Sequence, residues 1–308
     1  MKAFSSIDIG TNTIRMIMME EDAVGSPKEV LSERSIVRLG EGINSEKRIL
    51  PHRIDQAVRV IKNFLKISKQ RGNFPVKAVA TSAVREAENR EEFVRRVQLE
   101  TGLEIDVISW EEEARLTQEG VFWKIQTTGL RTLIFDIGGG STEFILSNGS
   151  VVLDSYGTSL GVVRLTERFI KQHPIDPLEY RALKHYLRDE LFRVKKKFSP
   201  LVPDQIIGTA GTVTTLAAIH HEVYPYDPKQ IHNSILPIEA VRSIQDNLKV
   251  KSLEDRLDIK SLEKGREDLI IAGTAIVLET LEMFGMCELK VSEYGLREGV
   301  IIDQWELK

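Results

Sequence analysis

The chain has 308 residues, 42% hydrophobic and 29% charged, an ordinary globular composition that excludes a disordered or collagen-like protein. Its length is about twice that of a typical domain, so two domains are expected. A formal net charge of -4 and a pI near 6.0 argue against nonspecific attraction to nucleic acid or to an anionic membrane, leaving metal and local arginines to hold any polyanionic ligand.

The first residues, MKAFSSIDIG, contain no apolar signal core, and no run approaches the ~18 apolar residues of a membrane span. The single cysteine, Cys287, cannot close an internal disulfide and reads as a buried or partly buried inert thiol. A cytoplasmic protein with no nucleic-acid or membrane partner is expected.

Residues 4–19 read as strand, tight glycine turn and strand, because apolar and β-branched residues flank Asp8 and Gly10. The apolar positions Ile54, Ala57, Val58, Ile61, Phe64 and Leu65 recur at helical spacing over 53–71, and 76–81 follows as a short buried strand. A helix over 89–101 ends at Gly102 and leads to a strand at 104–108. A polar stretch at 126–131 precedes a second strand, glycine turn and strand over 132–146. The two hairpins, SIDIGTNTIRMIM and IFDIGGGSTEFIL, share Asp-Ile-Gly and a charged residue seven positions after the Asp, Arg15 in one and Glu143 in the other. A duplicated hairpin is the simplest account, with two α/β domains of like architecture whose turns offer backbone N–H groups to phosphate. Further on come a charged helix at 176–197, a strand at 205–208 running into GTAGTVTTLAAI, and a polar loop over 220–232 with Tyr-Pro-Tyr-Asp-Pro at its centre. Helices at 238–248 and 268–284, a strand at 289–292 and a last helix from about 295 complete the chain.

A single glycine turn has an ordinary explanation in positive φ. Three in one chain, DIGTNT, DIGGGST and GTAGT, come in the order used by the actin, sugar kinase and heat-shock chaperone superfamily. The chain resembles that fold throughout. The resemblance implies an α/β protein of two ribonuclease H-like (actin-like ATPase) domains, 1–125 and 126–295, with the active site in the cleft between them and a helix at about 296–308 packing back on the first domain. Within that superfamily, SIDIGTNTIRMIM, AVATSAVREAEN, ISWEEEARL, IFDIGGGSTEFIL, GTAGTVTTLA, YPYDP and SEYGLREGVI are similar to ordered signatures of the exopolyphosphatase and guanosine pentaphosphate phosphatase family. The length is that of its short members.

The resemblance implies a hydrolase that removes terminal phosphates from a phosphoanhydride chain, a reaction that needs positioning and charge stabilisation more than a strong nucleophile. Asp136 and Glu143, at the two ends of one glycine turn, are the expected ligands of Mg²⁺ or another divalent cation, which favours hard oxygen donors. In WEEEARL the Glu before the small residue and Arg resembles the family's catalytic base. That is Glu113, with Glu112 the alternative; a glutamate run at a helix start is otherwise a solvated favourable end. Arg15 and Arg266 are similar to the family's catalytic, phosphate-binding arginines and Arg85 to a third, the guanidinium fork matching phosphate oxygens. Asp8, Gly10, Thr11 and Asn12 in the first turn, Gly138, Gly139, Gly140, Ser141 and Thr142 in the second, and Gly208, Gly211 and Thr212 in the third are the expected phosphate contacts. His220, His221 and the lysines 195–197 read as structural or solvated groups.

The expected substrate is inorganic polyphosphate. Guanosine pentaphosphate, or its tetraphosphate as a bound ligand, is the alternative, and a homodimer is left open. A kinase would need a base facing a substrate hydroxyl, whereas the Glu113 motif points to water. A non-catalytic sensor of such ligands is the remaining reading.

Overall fold

The computed structural model describes residues 2–43, 47–72, 74–126 and 129–306. Positions 127 and 128 of the expected polar connection, and 307 and 308 of the expected last helix, lie outside these. The chain forms two compact units, one of Met1–Trp123 with Leu296–Lys308, the other of Lys124–Gly295.

The first unit opens with an antiparallel meander, β1 (Ala3–Ile9), β2 (Thr13–Glu21) and β3 (Pro27–Ile36), followed by α1 (Pro51–Arg71), β4 (Val76–Ala80), α2 (Ser82–Glu86), α3 (Arg90–Thr101), β5 (Ile105–Val107) and α4 (Trp110–Phe122). Its sheet order is β3-β2-β1-β4-β5, with β4 parallel to β1 and β5 parallel to β4. The second unit contains β6 (Arg131–Ile137), β7 (Thr142–Asn148), β8 (Val151–Thr158), α5 (Val162–Phe169), α6 (Pro177–Phe198), β9 (Gln205–Thr209), α7 (Ala210–His220), α8 (Pro228–Ile231), β10 (Ile235–Pro237), α9 (Ile238–Lys249), α10 (Leu253–Leu257), α11 (Ile270–Phe284) and β11 (Glu288–Val291). Its order, β8-β7-β6-β9-β11, repeats that of the first sheet, with β10 added antiparallel at the far edge. A three-stranded meander extended by parallel crossovers from its first strand is the ribonuclease H-like arrangement, and it occurs here twice.

Each first strand is central and covered on both faces, which is why five of the seven residues of β1 and of β6 are buried, Ser5 and Ser6 in β1 and Thr132 in β6 among them. On one face of the first sheet lies α1, whose Ile54, Ala57, Val58, Ile61 and Phe64 form one buried stripe. The other face is covered by the last helix, α12 (Leu296–Glu306), where Ile301 and Trp305 pack on Phe4, Ile17 and Met19, each apolar side chain so buried contributing about 1.5–3 kcal/mol. Gly299 lets α12 cross α4 at backbone contact, since a Cβ there would lie 1.8 Å from the Leu116 carbonyl oxygen. In the second unit, α11 is buried almost all round among Phe135, Phe144, Leu187 and Leu191.

Three features depart from the sequence reading. The edge strands β3 and β8 are half-exposed and carry polar residues, so they lack the apolar alternation that marks a strand. Within the expected loop over 220–232, Asp227 caps a one-turn helix by accepting the Lys229 N–H at 3.0 Å, with Pro228 at its first position. Cys287 is exposed rather than buried: it sits where the chain leaves α11 for β11, and its backbone carbonyl accepts the Ile238 N–H at 2.7 Å.

Candidate active site

The two Gly-turn hairpins are the same object built twice. Gly10 N–H donates to the Thr13 carbonyl at 3.1 Å, and Gly138 N–H to the Ser141 carbonyl at 2.9 Å. The common register sets Asp8 directly opposite Arg15 in the first hairpin and Asp136 directly opposite Glu143 in the second. Unlike charges face each other in one unit and like charges in the other. Two carboxylates in directly opposed positions repel unless a cation joins them.

In the first unit, burial pushes the Asp8 carboxyl up to about 6, against the lowering fields of Arg15 and Arg297 and with a smaller raising contribution from Glu298. Arg297 and Glu298 begin α12 and were not singled out in the sequence; Glu298 is buried, and Arg297 Nε donates to it at 2.6 Å. The Thr11 and Asn12 carbonyls are spent on the chain after β3, accepting from Gly40, Val37 and Arg38 N–H groups at 2.8–2.9 Å. They brace the turn, whose side chains are buried as well: Thr11 packs on Gly40, and Asn12 Nδ2 donates to the Thr13 hydroxyl at 3.3 Å.

The three adjacent glutamates have different surroundings. Ser109 caps α4 through its hydroxyl, which accepts from Glu112 N–H at 3.2 Å, and all three fall in the first turn. Glu111 is exposed, and Glu112 is half-exposed on Arg115 at 2.7 Å. Only Glu113 turns inward; it is 6% exposed, and its Oε2 accepts from Arg85 Nη1 at 2.7 Å. The Arg85 guanidinium lies 3.8 Å over the Trp110 ring, and Nη1 also donates to the Ile108 carbonyl at 3.0 Å. Its Nε and Nη2 are buried without a hydrogen-bond partner among the described residues. These two N–H groups form one edge of the guanidinium fork, the geometry that receives two oxygens of a phosphate or carboxylate.

In the second unit, Asp136 lies beside Glu143 on one side and Thr209 on the other, a row across three strands. The turn at 138–140 is seated on α5: Val162 and Val163 N–H groups donate to the Gly138 and Gly139 carbonyls at 3.1 and 2.9 Å, and Arg164 Nε to the Gly140 carbonyl at 3.0 Å. Gly161 makes this possible, since a Cβ there would lie 2.2 Å from the Gly140 carbonyl carbon. Ser141 is buried in the same turn. Thr142 is fully buried and donates its hydroxyl to the Leu160 carbonyl, so its role is to fasten the hairpin. Gly208 is a core glycine, its missing Cβ leaving room for the Phe135 ring. Gly211 instead leaves room for Arg266, whose guanidinium would lie 2.4 Å from a Cβ at that position. Arg266 is therefore laid across the first turn of α7, buried, with Nε donating to Glu263 at 2.7 Å. Thr212, in that same first turn, packs on Gly273. His220 and His221 lie with ring centroids 4.6 Å apart, tilted by 58° and not stacked, at the exposed end of α7.

Two ribonuclease H-like units, each presenting the same glycine hairpin, with a helix-borne glutamate held by an arginine in one and a carboxylate pair in the other, define a phosphate-handling enzyme of actin-like architecture. The model of the Ppx/GppA phosphatase family matches residues 17–308, and the chain belongs to that family. It is 30% identical to exopolyphosphatase 2 of Mycobacterium tuberculosis, with 97% of each chain covered. It is 33% identical to the bifunctional 3-dehydroquinate synthase/phosphatase of Fusobacterium nucleatum, over 99% of this chain and 47% of that longer protein. Among solved structures, the Aquifex aeolicus Ppx/GppA family member superposes with a TM-score of 0.84 at 35% identity, covering 98% of this chain and 97% of that one. An exopolyphosphatase from Cytophaga hutchinsonii superposes with a TM-score of 0.92 at 27% identity, covering 99% and 98%. Among the described residues, no helix is long and apolar enough to cross a membrane.

Proposed function

We propose that this chain is a metal-dependent exopolyphosphatase, cleaving the terminal phosphoanhydride of inorganic polyphosphate and releasing orthophosphate. The observation that carries the reading is Glu113: of three adjacent glutamates, only this one is buried and fixed by an arginine, as a base that must point at one water requires. The exopolyphosphatases among its relatives supply the substrate class.

In this reading the Glu113 carboxylate takes a proton from water as its oxygen bonds to the terminal phosphorus, and the bridging P–O bond breaks toward the shortened chain. Arg85 and Arg15, in the same unit as Glu113, take up charge on the phosphate oxygens. A divalent cation fits Asp136 and Glu143, because Mg²⁺ uses one or two carboxylates and keeps waters for its remaining positions. When bound, the cation would neutralise phosphate charge.

The test is orthophosphate release by the purified chain with Mg²⁺, from long-chain polyphosphate and from guanosine pentaphosphate, with Glu113→Gln as control. Faster release from polyphosphate that is lost in the variant supports the proposal. Preference for the nucleotide moves the activity to alarmone conversion, and release unaffected by Glu113→Gln removes the base.

A further inference from the structure

Arg85 comes from α2, a helix of five residues that is marginal on its own, and its side chain crosses to the start of α4. There it meets two residues of one helix turn. The guanidinium lies over the ring of Trp110, the first residue of α4, at 3.8 Å from the ring centroid, and Glu113, three residues on and a neighbour on the helix surface, accepts from Nη1 at 2.7 Å. A guanidinium donates hydrogen bonds in its plane, so the ring covers a surface that cannot donate. Within the plane only Nη1 is engaged, with Glu113 and with the Ile108 carbonyl at 3.0 Å, while Nε and Nη2 are buried without a hydrogen-bond partner among the described residues. Bonds at a single nitrogen let the plane rock about it, and the Trp110 ring is the contact that opposes the rocking. The Arg85 and Glu113 side chains are 12% and 8% exposed, a burial at which ring and ion-pair attraction are both stronger than in water.

We infer that Trp110 is a positioning residue of the hydrolytic reaction: by holding the plane of Arg85 it fixes the direction in which Arg85 presents the Glu113 carboxylate to water. Ring, arginine and base are thereby tied through the first turn of α4, and Trp110 acts through Arg85 rather than on the substrate. The inference rests on the reading of Glu113 as the base.

The test compares Trp110→Phe, which keeps an aromatic face, with Trp110→Leu, which keeps an apolar cover without one. In phosphate release from polyphosphate with Mg²⁺, kcat should fall about tenfold in Trp110→Leu and stay within about threefold of wild type in Trp110→Phe, while the melting temperatures of the two variants fall alike. A kcat that follows melting temperature instead of the aromatic face overturns the inference. In a Glu113→Gln background, Trp110→Leu should change the residual release by less than about twofold, because a residue acting through the base has nothing left to aim; a tenfold loss that persists there overturns it as well. A second readout needs no turnover. The Arg85 Nε–H resonance, identified by its absence in Arg85→Lys, should exchange with water at least about tenfold faster in Trp110→Leu than in the wild type or Trp110→Phe. Equal exchange in all three, in a chain whose release is lost with Glu113→Gln, overturns the inference and leaves the hydrolysis reading standing. Release that survives Glu113→Gln removes the base, and the role of Trp110 with it.

Discussion

At the scale of residues, the decisive feature is that chemically identical side chains receive different roles from their surroundings. Glu111, Glu112 and Glu113 share a helix turn, yet only Glu113 is withdrawn from water onto Arg85. Glu113→Gln keeps the shape and an acceptor oxygen while losing the basic carboxylate, so turnover should fall by about two to four decades with the fold retained. Phosphate release and a thermal melt of the same preparation check both halves. Asp8 gives a pH prediction. Its carboxyl is pushed up to about 6 by burial, above its ordinary value of 3.8, so the folded chain holds a proton that the unfolded chain has released between those values. Stability contributed there is greatest at low pH and is lost as pH rises through about 6, with a penalty on the order of 3 kcal/mol above it. Asp8→Asn should therefore raise the melting temperature at pH 8 and give no comparable gain near pH 4. A gain equal at both values would show that Asp8 carries no such penalty.

At the scale of elements, glycines decide how closely functional pieces approach. Gly299 permits α12 to cross the helix that bears Glu113, and the atom blocking any Cβ is a backbone carbonyl that cannot step aside. Gly299→Ala should cost about 1–3 kcal/mol or more by overpacking, read by urea unfolding. Gly211 differs, because what a Cβ there would meet is the far end of Arg266. Gly211→Ala should leave stability within about 1 kcal/mol, the helix gaining propensity as the arginine moves. Its KM for polyphosphate should rise several-fold if Arg266 contacts phosphate, and an unchanged KM would dismiss that contact. The duplicated hairpin was legible in the sequence because Asp-Ile-Gly and the residue seven positions on encode one turn and one register. The edge strands β3 and β8 were not, since half-exposed strands carry no apolar period to read. Gly161 and Arg164 escaped notice as well: they act on the turn at 138–140 from more than twenty residues away, through a seat that only folding creates.

At the scale of the whole molecule, two copies of one fold carry unlike charge at equivalent positions, and the carboxylate pair of the second copy is the expected cation site. Mg²⁺ at about 100 times its dissociation constant should stabilise the protein by roughly 2.7 kcal/mol, and Glu143→Gln should abolish that shift. Melting curves with Mg²⁺ and with EDTA test this without any substrate; identical curves for the wild type would remove Asp136 and Glu143 as ligands. The sequence by itself determined the two-domain α/β class, the turns and the family, because apolar period, glycine position and motif order are local properties of the chain. Only the tertiary structure decided that Glu113 and not Glu112 is buried, that Thr142 and Gly208 serve packing, that Arg266 lies on Gly211, and that Arg85 holds Nε and Nη2 buried without a hydrogen-bond partner among the described residues. Burial and hydrogen-bond satisfaction depend on residues distant in sequence, and no spacing within a motif encodes them.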